Sequence, residues 1–270
     1  MNSFAEKGYV IVKNAIRKSI INNLQSTIIE NCGNSLKINN AKKKYEFFSN
    51  YTLNNRKSEF DFCKSIYESF LYKNLIDEIL LEKKNFNVLT NILGNDLSFD
   101  CENSNLALNV PLKKTKKNYF FKNWHQEIWS GSSPSSVQLW TPIFQKNNIK
   151  GQIELIEESH KWGHVPHSNR KPITLPSKYK SKKLHLNYGD VIIFSTLLMH
   201  RSVETDNPRL ALTEIVKNFK WKNDTYENNK NWKIFSYSEI TKIERFLGNH
   251  YLSPFRILDI KTDFSGILKK

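Results

Sequence analysis

The sequence predicts a mainly β fold with flanking helices, and three observations carry that reading. From about residue 105, short apolar or alternating runs recur at 106–110, 119–125, 136–144, 151–156, 190–199 and 209–219, separated by Gly, Pro, Asn and Lys. Short strands punctuated by turn residues are the pattern of a β-sandwich or barrel. Ahead of them the chain has helical periodicity instead. Over 270 residues, 39% are apolar and 25% charged, the composition of a globular chain long enough to bury a core without disulfides.

Taken in order, Gly8-Tyr9-Val10-Ile11-Val12-Lys13 reads as a short strand. A helix follows over about 17–31, where Ile20, Leu24 and Ile28 recur every four residues and Ile21 and Ile29 widen the face. The stripe Ile66, Phe70, Ile76, Ile79 and Leu80 predicts one helix over 65–81, closed by Lys83-Lys84. The strand runs come next, and the tail from Trp221 is irregular with some helix. No internal repeat or linker divides the chain. A single domain over 1–270 is expected, with a helical part over about 1–104, a barrel core over about 105–220 and a variable tail over 221–270.

The formal net charge is +15, but only seven of the 41 basic residues are arginine. Abundant lysine, asparagine and isoleucine is the bias of an AT-rich genome. Nucleic-acid binders favour arginine clustered on a motif, so a solvated basic surface is the preferred reading. Lysine clusters at 42–44, 113–117 and 178–183 read as exposed loops. Cys32, Cys63 and Cys101 are few and far apart, which fits a reducing, cytoplasmic location better than a disulfide framework. No run approaches the ~18 apolar residues of a membrane span, and the first residues show no signal-peptide pattern.

The chemistry centres on Asn123-Trp124-His125-Gln126-Glu127. In an extended strand, residues i and i+2 share a face, so His125 and Glu127 present an imidazole and a carboxylate side by side. Two histidines and one carboxylate on one face hold a ferrous ion and leave positions open for substrates. His200 ends the apolar run from Gly189-Asp190; taken alone it is a ligand or a satisfied core histidine. Arg209 opens the alternating run Leu210-Ala211-Leu212-Thr213. A buried arginine needs a carboxylate partner, from the protein or from a dicarboxylate co-substrate. Ser202 shares the face of His200 and offers a hydroxyl to the same group. His160, His164 and His167 match no compact zinc spacing and read as loop packing. His185 and His250 have no context that suggests a role.

In this order the segments resemble the phytanoyl-CoA dioxygenase family. The resemblance runs over residues 8–219: the Gly8–Val12 opening, Trp124-His125-Gln126-Glu127, Gly151–Ile156 with Ser159-His160-Lys161-Trp162-Gly163, and Gly189-Asp190 through Phe194 followed by His200, Ser202 and Arg209. Two departures stand out. Glu127 replaces the commoner Asp, adding a methylene to the ligand. Glu157-Glu158 replaces the usual Pro-Gly, and since glutamate enters a left-handed turn at a cost, the loop is expected to differ.

The resemblance implies a double-stranded β-helix, a jelly-roll or cupin-like barrel with outer helices. It implies Fe(II) held by His125, Glu127 and His200, with O2 and 2-oxoglutarate as co-substrates. The far carboxylate of 2-oxoglutarate would pair with Arg209, supported by Ser202, Asn109, Gln138 and Thr213. The implied reaction hydroxylates an unactivated C–H bond of a small metabolite and releases succinate and CO2. Trp129 and Trp140 are candidates for the substrate wall, and Lys113-Lys114-Thr115-Lys116-Lys117 would suit an anionic substrate. A halogenase is disfavoured because Glu127 fills the position a halide would take. The alternatives are a non-catalytic jelly-roll binding protein and, less favoured, a basic nucleic-acid-binding module.

Overall fold

The computed structural model describes residues 2–33, 38–54, 59–101, 106–111, 123–146, 153–220 and 232–246. Within them the alternating runs pair into antiparallel sheets. The larger sheet runs β1 (Tyr9–Val12), β9 (Val191–Ser195), β4 (Val137–Phe144), β11 (Arg209–Asn218), β2 (Leu97–Asp100) and β12 (Trp232–Ile234). β3 (Leu106–Asn109) pairs with the first residues of β11. A smaller sheet runs β10 (His200–Ser202), β5 (Ile153–Ile156) and β8 (Ser181–Leu184). β6 (His167–Ser168) and β7 (Lys171–Pro172) make a separate two-residue hairpin.

The period of two along each strand decides what each sheet face does. Tyr9, Trp140, Ile192, Phe194 and Ala211 of the larger sheet pack against Ile153, Leu155 and Leu184 of the smaller one, forming the barrel interior. Their neighbours Val12, Leu139, Ile193, Leu210, Leu212 and Val216 point the other way, into the helical layer. A one-residue slip of β11 would exchange the two sets, so burial on both faces fixes the register. The fold is the expected one: mainly antiparallel sheet of jelly-roll type with flanking helices.

That layer contains α1 (Asn2–Lys7), α2 (Lys18–Asn31), α3 (Ala41–Asn54), α4 (Glu59–Tyr72), α5 (Leu75–Leu81) and α6 (Lys83–Leu93), with α7 (Glu239–Phe246) near the chain's far end. The stripe Ile20, Leu24 and Ile28 of α2 is buried as its spacing requires. Phe48 of α3 stacks on Phe144 of β4 at 4.7 Å between ring centroids, joining layer to sheet.

Three expectations need correction. The helix over 65–81 is two helices, because Asn74 adopts a left-handed φ of 54° between them; asparagine is among the residues that tolerate this. Lys83 and Lys84 open α6 and do not close a helix, and Lys84 Nζ donates to the carbonyls of Lys13 and Asn14 at the end of β1. Lys42, Lys43 and Lys44 lie in α3; Lys44 is buried, with Nζ 2.9 Å from Ser26 Oγ. Of the other lysine clusters, 113–117 lies outside the described residues, and Lys182 and Lys183 are exposed on β8. β1 and β2 enter the larger sheet from the part read as helical. Among the described residues, no helix is long and apolar enough to cross a membrane.

Candidate metal centre and co-substrate pocket

His200 opens β10, and His125 lies beside it in an isolated antiparallel bridge. Each backbone N–H donates to the other residue's carbonyl at 3.0 Å. The two rings sit side by side, 4.2 Å between centroids. The strand reading around 119–125 reduces to this bridge, since 112–122 lie outside the described residues. Gln126 is still extended, but Glu127 begins a 3-10 turn over Glu127–Ser130. The backbone N–H groups of Glu127 and Ile128 donate to the Thr196 carbonyl at 3.0 and 3.3 Å, which fixes where that turn starts. The carboxylate thus reaches the histidines from a turn and not from a strand.

The ring orientations follow from the Nδ1 atoms. His125 Nδ1 lies 2.8 Å from the Asn123 carbonyl, and His200 Nδ1 lies 2.9 Å from that of Leu198. A carbonyl only accepts, so each Nδ1 carries the proton. Nε2 is then left to face Glu127 Oε1, at 3.5 Å from His125 and 3.1 Å from His200. Burial lowers the His200 pKa, as does the charge of His125, and Glu127 only partly offsets this. Burial opposes ionisation of Glu127, but with a proton also on Nε2 the histidines would donate to it and face it with positive charge, and these effects outweigh burial and hold the carboxyl well below its usual range. The three candidate ligand atoms lie within 4.8 Å of one another. Convergent lone pairs in a buried place fit a divalent cation, and carbonyls behind both imidazoles are the usual outer support of such ligands.

Period-two alternation places a second group on the interior side of the larger sheet, the side that bears Trp140 and Ala211. Arg209 lies opposite Asn109 in the β11–β3 register, and Thr213 lies opposite Trp140 in β11–β4. Gln138 is two residues before Trp140. Arg209 is only 1% exposed, yet its Nε and Nη1 have no hydrogen-bond partner among the described residues. Asn109 Oδ1 and Gln138 Oε1 are likewise buried and unpartnered, although Asn109 Nδ2 donates to the Val203 carbonyl. Burial pulls the Arg209 pKa down to about 10, against a smaller opposing effect from Glu204, so the guanidinium is still charged at neutral pH. Buried polar atoms are nearly always paired. Unmatched donors on a buried cation mark a place for an anion, and its planar fork suits a carboxylate. Ser202 follows His200 on the same side of β10.

Trp140 lines this interior, with the Arg209 Cζ 5.9 Å from its ring. Trp129 does not. Its Nε1 donates to the Val165 carbonyl, and it packs with Ile156, Val165 and Met199 in a separate cluster. Arg201, next to His200, faces outward and pairs with Glu154 at 2.8 Å, over the ring of Trp124. Among the described residues, the three loop histidines do not group as a metal centre. His160 Nε2 lies 3.0 Å from the Ala5 carbonyl. Among the described residues, only His125, Glu127 and His200 group as a metal centre. His185 is exposed and His250 lies outside the described residues.

The loop with Glu157-Glu158 holds its strained residue in place. Glu158 does take the left-handed conformation, at φ 67° and ψ −2°. Its N–H donates to the Lys7 carbonyl, while Glu157 accepts from Tyr9 Oη at 2.7 Å. The sequence reading also missed Ser159, whose Oγ accepts from the Met199 N–H at 2.8 Å and donates to the Ile156 carbonyl. It missed Gln126 and Thr196 as well. Their places beside the ligands were visible, but side-chain-to-backbone bonding across the fold has no sequence signature.

A jelly roll with two histidines, a carboxylate and a buried arginine on its inner face defines a mononuclear non-haem oxygenase. The model of the phytanoyl-CoA dioxygenase (PhyH) family matches residues 4–211, and the chain belongs to this family of iron- and 2-oxoglutarate-dependent oxygenases. No curated protein sequence matches it significantly. Among solved structures, it is similar to the apo form of the non-heme monooxygenase ThoJ, with 13% identity, 88% of this chain and 84% of that one covered and a TM-score of 0.56. It is also similar to SnoN, a non-heme alpha ketoglutarate dependent epimerase from nogalamycin biosynthesis, with 11% identity, 88% and 95% covered and a TM-score of 0.50. At these identities the likeness is one of fold.

Proposed function

We propose that this protein binds Fe(II) through His125, Glu127 and His200, binds 2-oxoglutarate through Arg209, and hydroxylates an unactivated C–H bond of a small metabolite. The observation that carries the reading is Arg209: a buried guanidinium on the interior side of the larger sheet whose Nε and Nη1 have no hydrogen-bond partner among the described residues. Iron in such a site supplies dioxygen activation coupled to oxidative decarboxylation of the co-substrate.

The chain's own residues do the rest. The Asn123 and Leu198 carbonyls hold the imidazoles with Nε2 free for the metal. Arg209 binds the far carboxylate, and the Ser202 hydroxyl, Asn109, Gln138 and Thr213 flank it. The interior of Trp140, Phe194, Leu155 and Ala211 excludes water. β1, β2 and β12 join the core strands in one sheet, which supports reading the chain as one domain. The free thiols of Cys32, Cys63 and Cys101 support a cytoplasmic location. An anionic substrate rests on the lysines at 113–117.

Anaerobic titration with Fe(II) and 2-oxoglutarate tests the reading. A weak visible charge-transfer band is expected only when both are present, and succinate should form on admitting O2. Metal binding without band or succinate would favour a non-catalytic binding protein.

A further inference from the structure

Gln126 is the extended residue between two of the proposed ligands, and its side chain bonds to the segments at 163–165 and 197. It is 1% exposed. Its Nε2 donates to the Leu197 carbonyl at 2.6 Å and to the Gly163 carbonyl at 2.8 Å. Its Oε1 accepts from the Val165 N–H at 2.9 Å. Both amide protons and the carbonyl oxygen are therefore in use, on two different segments. Leu197 immediately precedes Leu198, whose carbonyl orients the His200 ring. Gly163 has φ 68° and ψ −148°, a backbone that glycine adopts readily, so its carbonyl is aimed by local conformation.

We infer that Gln126 is a positioning residue for the metal centre: its carboxamide clamps the segment bearing His200 and the turn at 163–165 to the segment bearing His125 and Glu127. The inference rests on reading the triad as the iron site. The His125–His200 bridge joins the two backbones, and Gln126 ties the same segments through its side chain. Only a carboxamide fits. Glutamate would offer no donor when ionised and would set a charge against two carbonyl oxygens. Methionine has nearly the same volume and makes none of the three bonds. The spacing of the ligands is thus set before the metal arrives, which is the condition for tight binding at a site of only three protein ligands.

The test compares Gln126→Met and Gln126→Glu with Gln25→Met. Gln25 is also a buried glutamine, donating to the Ile143 carbonyl from α2 in the helical layer, away from the site. The probe is Co(II), read by titration and by its visible ligand-field spectrum, beside a thermal melt. Both Gln126 variants should bind Co(II) about 10- to 100-fold more weakly, the range typical of lost outer-shell partners, with a changed spectrum. Gln25→Met should melt lower yet keep the unmutated affinity and spectrum. Unmutated affinity and spectrum in folded Gln126→Met, or equal damage from Gln25→Met, would overturn the clamp. If the Gln126 variants do not fold, hydrogen exchange of the Gln126 amide protons in the metal-free unmutated protein decides. Strong protection supports a preformed clamp, and exchange at the rate of a free glutamine overturns it. An unmutated protein that takes up no Co(II) would sink the metal-site reading and this inference with it, a failure visible without any variant.

Discussion

His125 and His200 each have Nδ1 tied to a carbonyl and Nε2 turned toward Glu127, whereas His160, His164 and His167 belong to no candidate metal group among the described residues. Alanine at either of the first two should abolish tight iron binding, and alanine at any of the loop three should leave iron content unchanged. Metal analysis of the five purified variants checks this, and loss of iron on His164→Ala with retention on His200→Ala would move the site. Arg209 allows a sharper prediction because its Nε and Nη1 have no partner among the described residues. Removing one partner of a desolvated, charge-assisted pair costs about 2–4 kcal/mol, so Arg209→Ala should weaken 2-oxoglutarate binding roughly 30- to 700-fold. Lysine keeps the charge but loses the fork, and should restore only part of this. Iron affinity should not follow, since the guanidinium is no ligand. An unpaired buried charge also destabilises the fold that contains it. Arg209→Met should then melt no lower than the unmutated protein without co-substrate, and should lose the stabilisation that added 2-oxoglutarate gives. A sharp fall in its melting temperature would instead mark Arg209 as a structural residue. Arg201 offers no substitute, being paired with Glu154.

Single elements differ in how far the sequence disclosed them, and the loop at 157–158 shows why. A left-handed glutamate is strained by about 1–2 kcal/mol, while glycine there loses about 0.5–1 kcal/mol of extra chain entropy. The ion pair of Glu158 with Lys161 is exposed and worth little. Glu158→Gly should therefore stabilise the protein by about 0.5–1 kcal/mol, read as a higher urea midpoint at unchanged slope. A lower midpoint would show that the Glu158 side-chain contacts outweigh the strain. Glutamate takes the left-handed conformation here despite its cost, held where Lys7 and Tyr9 anchor the loop from β1's side. β4, β9 and β11 were legible because both their faces are buried and their runs are long. β8 and β10 were not, being short and in part exposed or functional. α3 escaped notice because its stripe is thin: Lys44 and Phe48 are its only fully buried residues. The break at Asn74 looked like an ordinary helix position, since the apolar spacing continues across it into α5.

For the whole molecule, periodicity indicated strands and helices but not how the larger and smaller sheets face each other across one interior. That topology came through the ordered resemblance, because short strands pair across long stretches of chain that leave no local mark. The long-range closures themselves rest in part on carboxylates, and these make the fold sensitive to acid. Asp190, buried at the start of β9, accepts from Lys13 Nζ at 2.7 Å and from the N–H groups of Asn14 and Asn187 at 3.0 Å, joining the end of β1 to β9. Burial raises its pKa, but these bonds and the Lys13 charge prevail and leave it below 3.8. Glu154, held by Ser181 and Arg201 against its own burial, and Glu157, held chiefly by Tyr9, are lowered from 4.5. Where a folded-state pKa lies below the unfolded one, the unfolded chain binds more protons, and stability falls as pH falls. The contribution is complete well above the ordinary values and is lost from about 4.5 downward for the glutamates and from about 3.8 downward for Asp190. Metal-free protein should accordingly lose its urea midpoint steeply between about pH 5 and pH 3, after a smaller loss between pH 7 and pH 6 from His200, whose protonation burial disfavours in the folded chain. Asp190→Asn keeps one acceptor for the backbone but loses the charge opposite Lys13. The variant should be less stable at pH 7 and lose less on acidification, so that the two curves converge near pH 3. Parallel curves over the whole range would mean that Asp190 carries no part of the acid response, and that the closure of β1 onto β9 depends on backbone pairing alone.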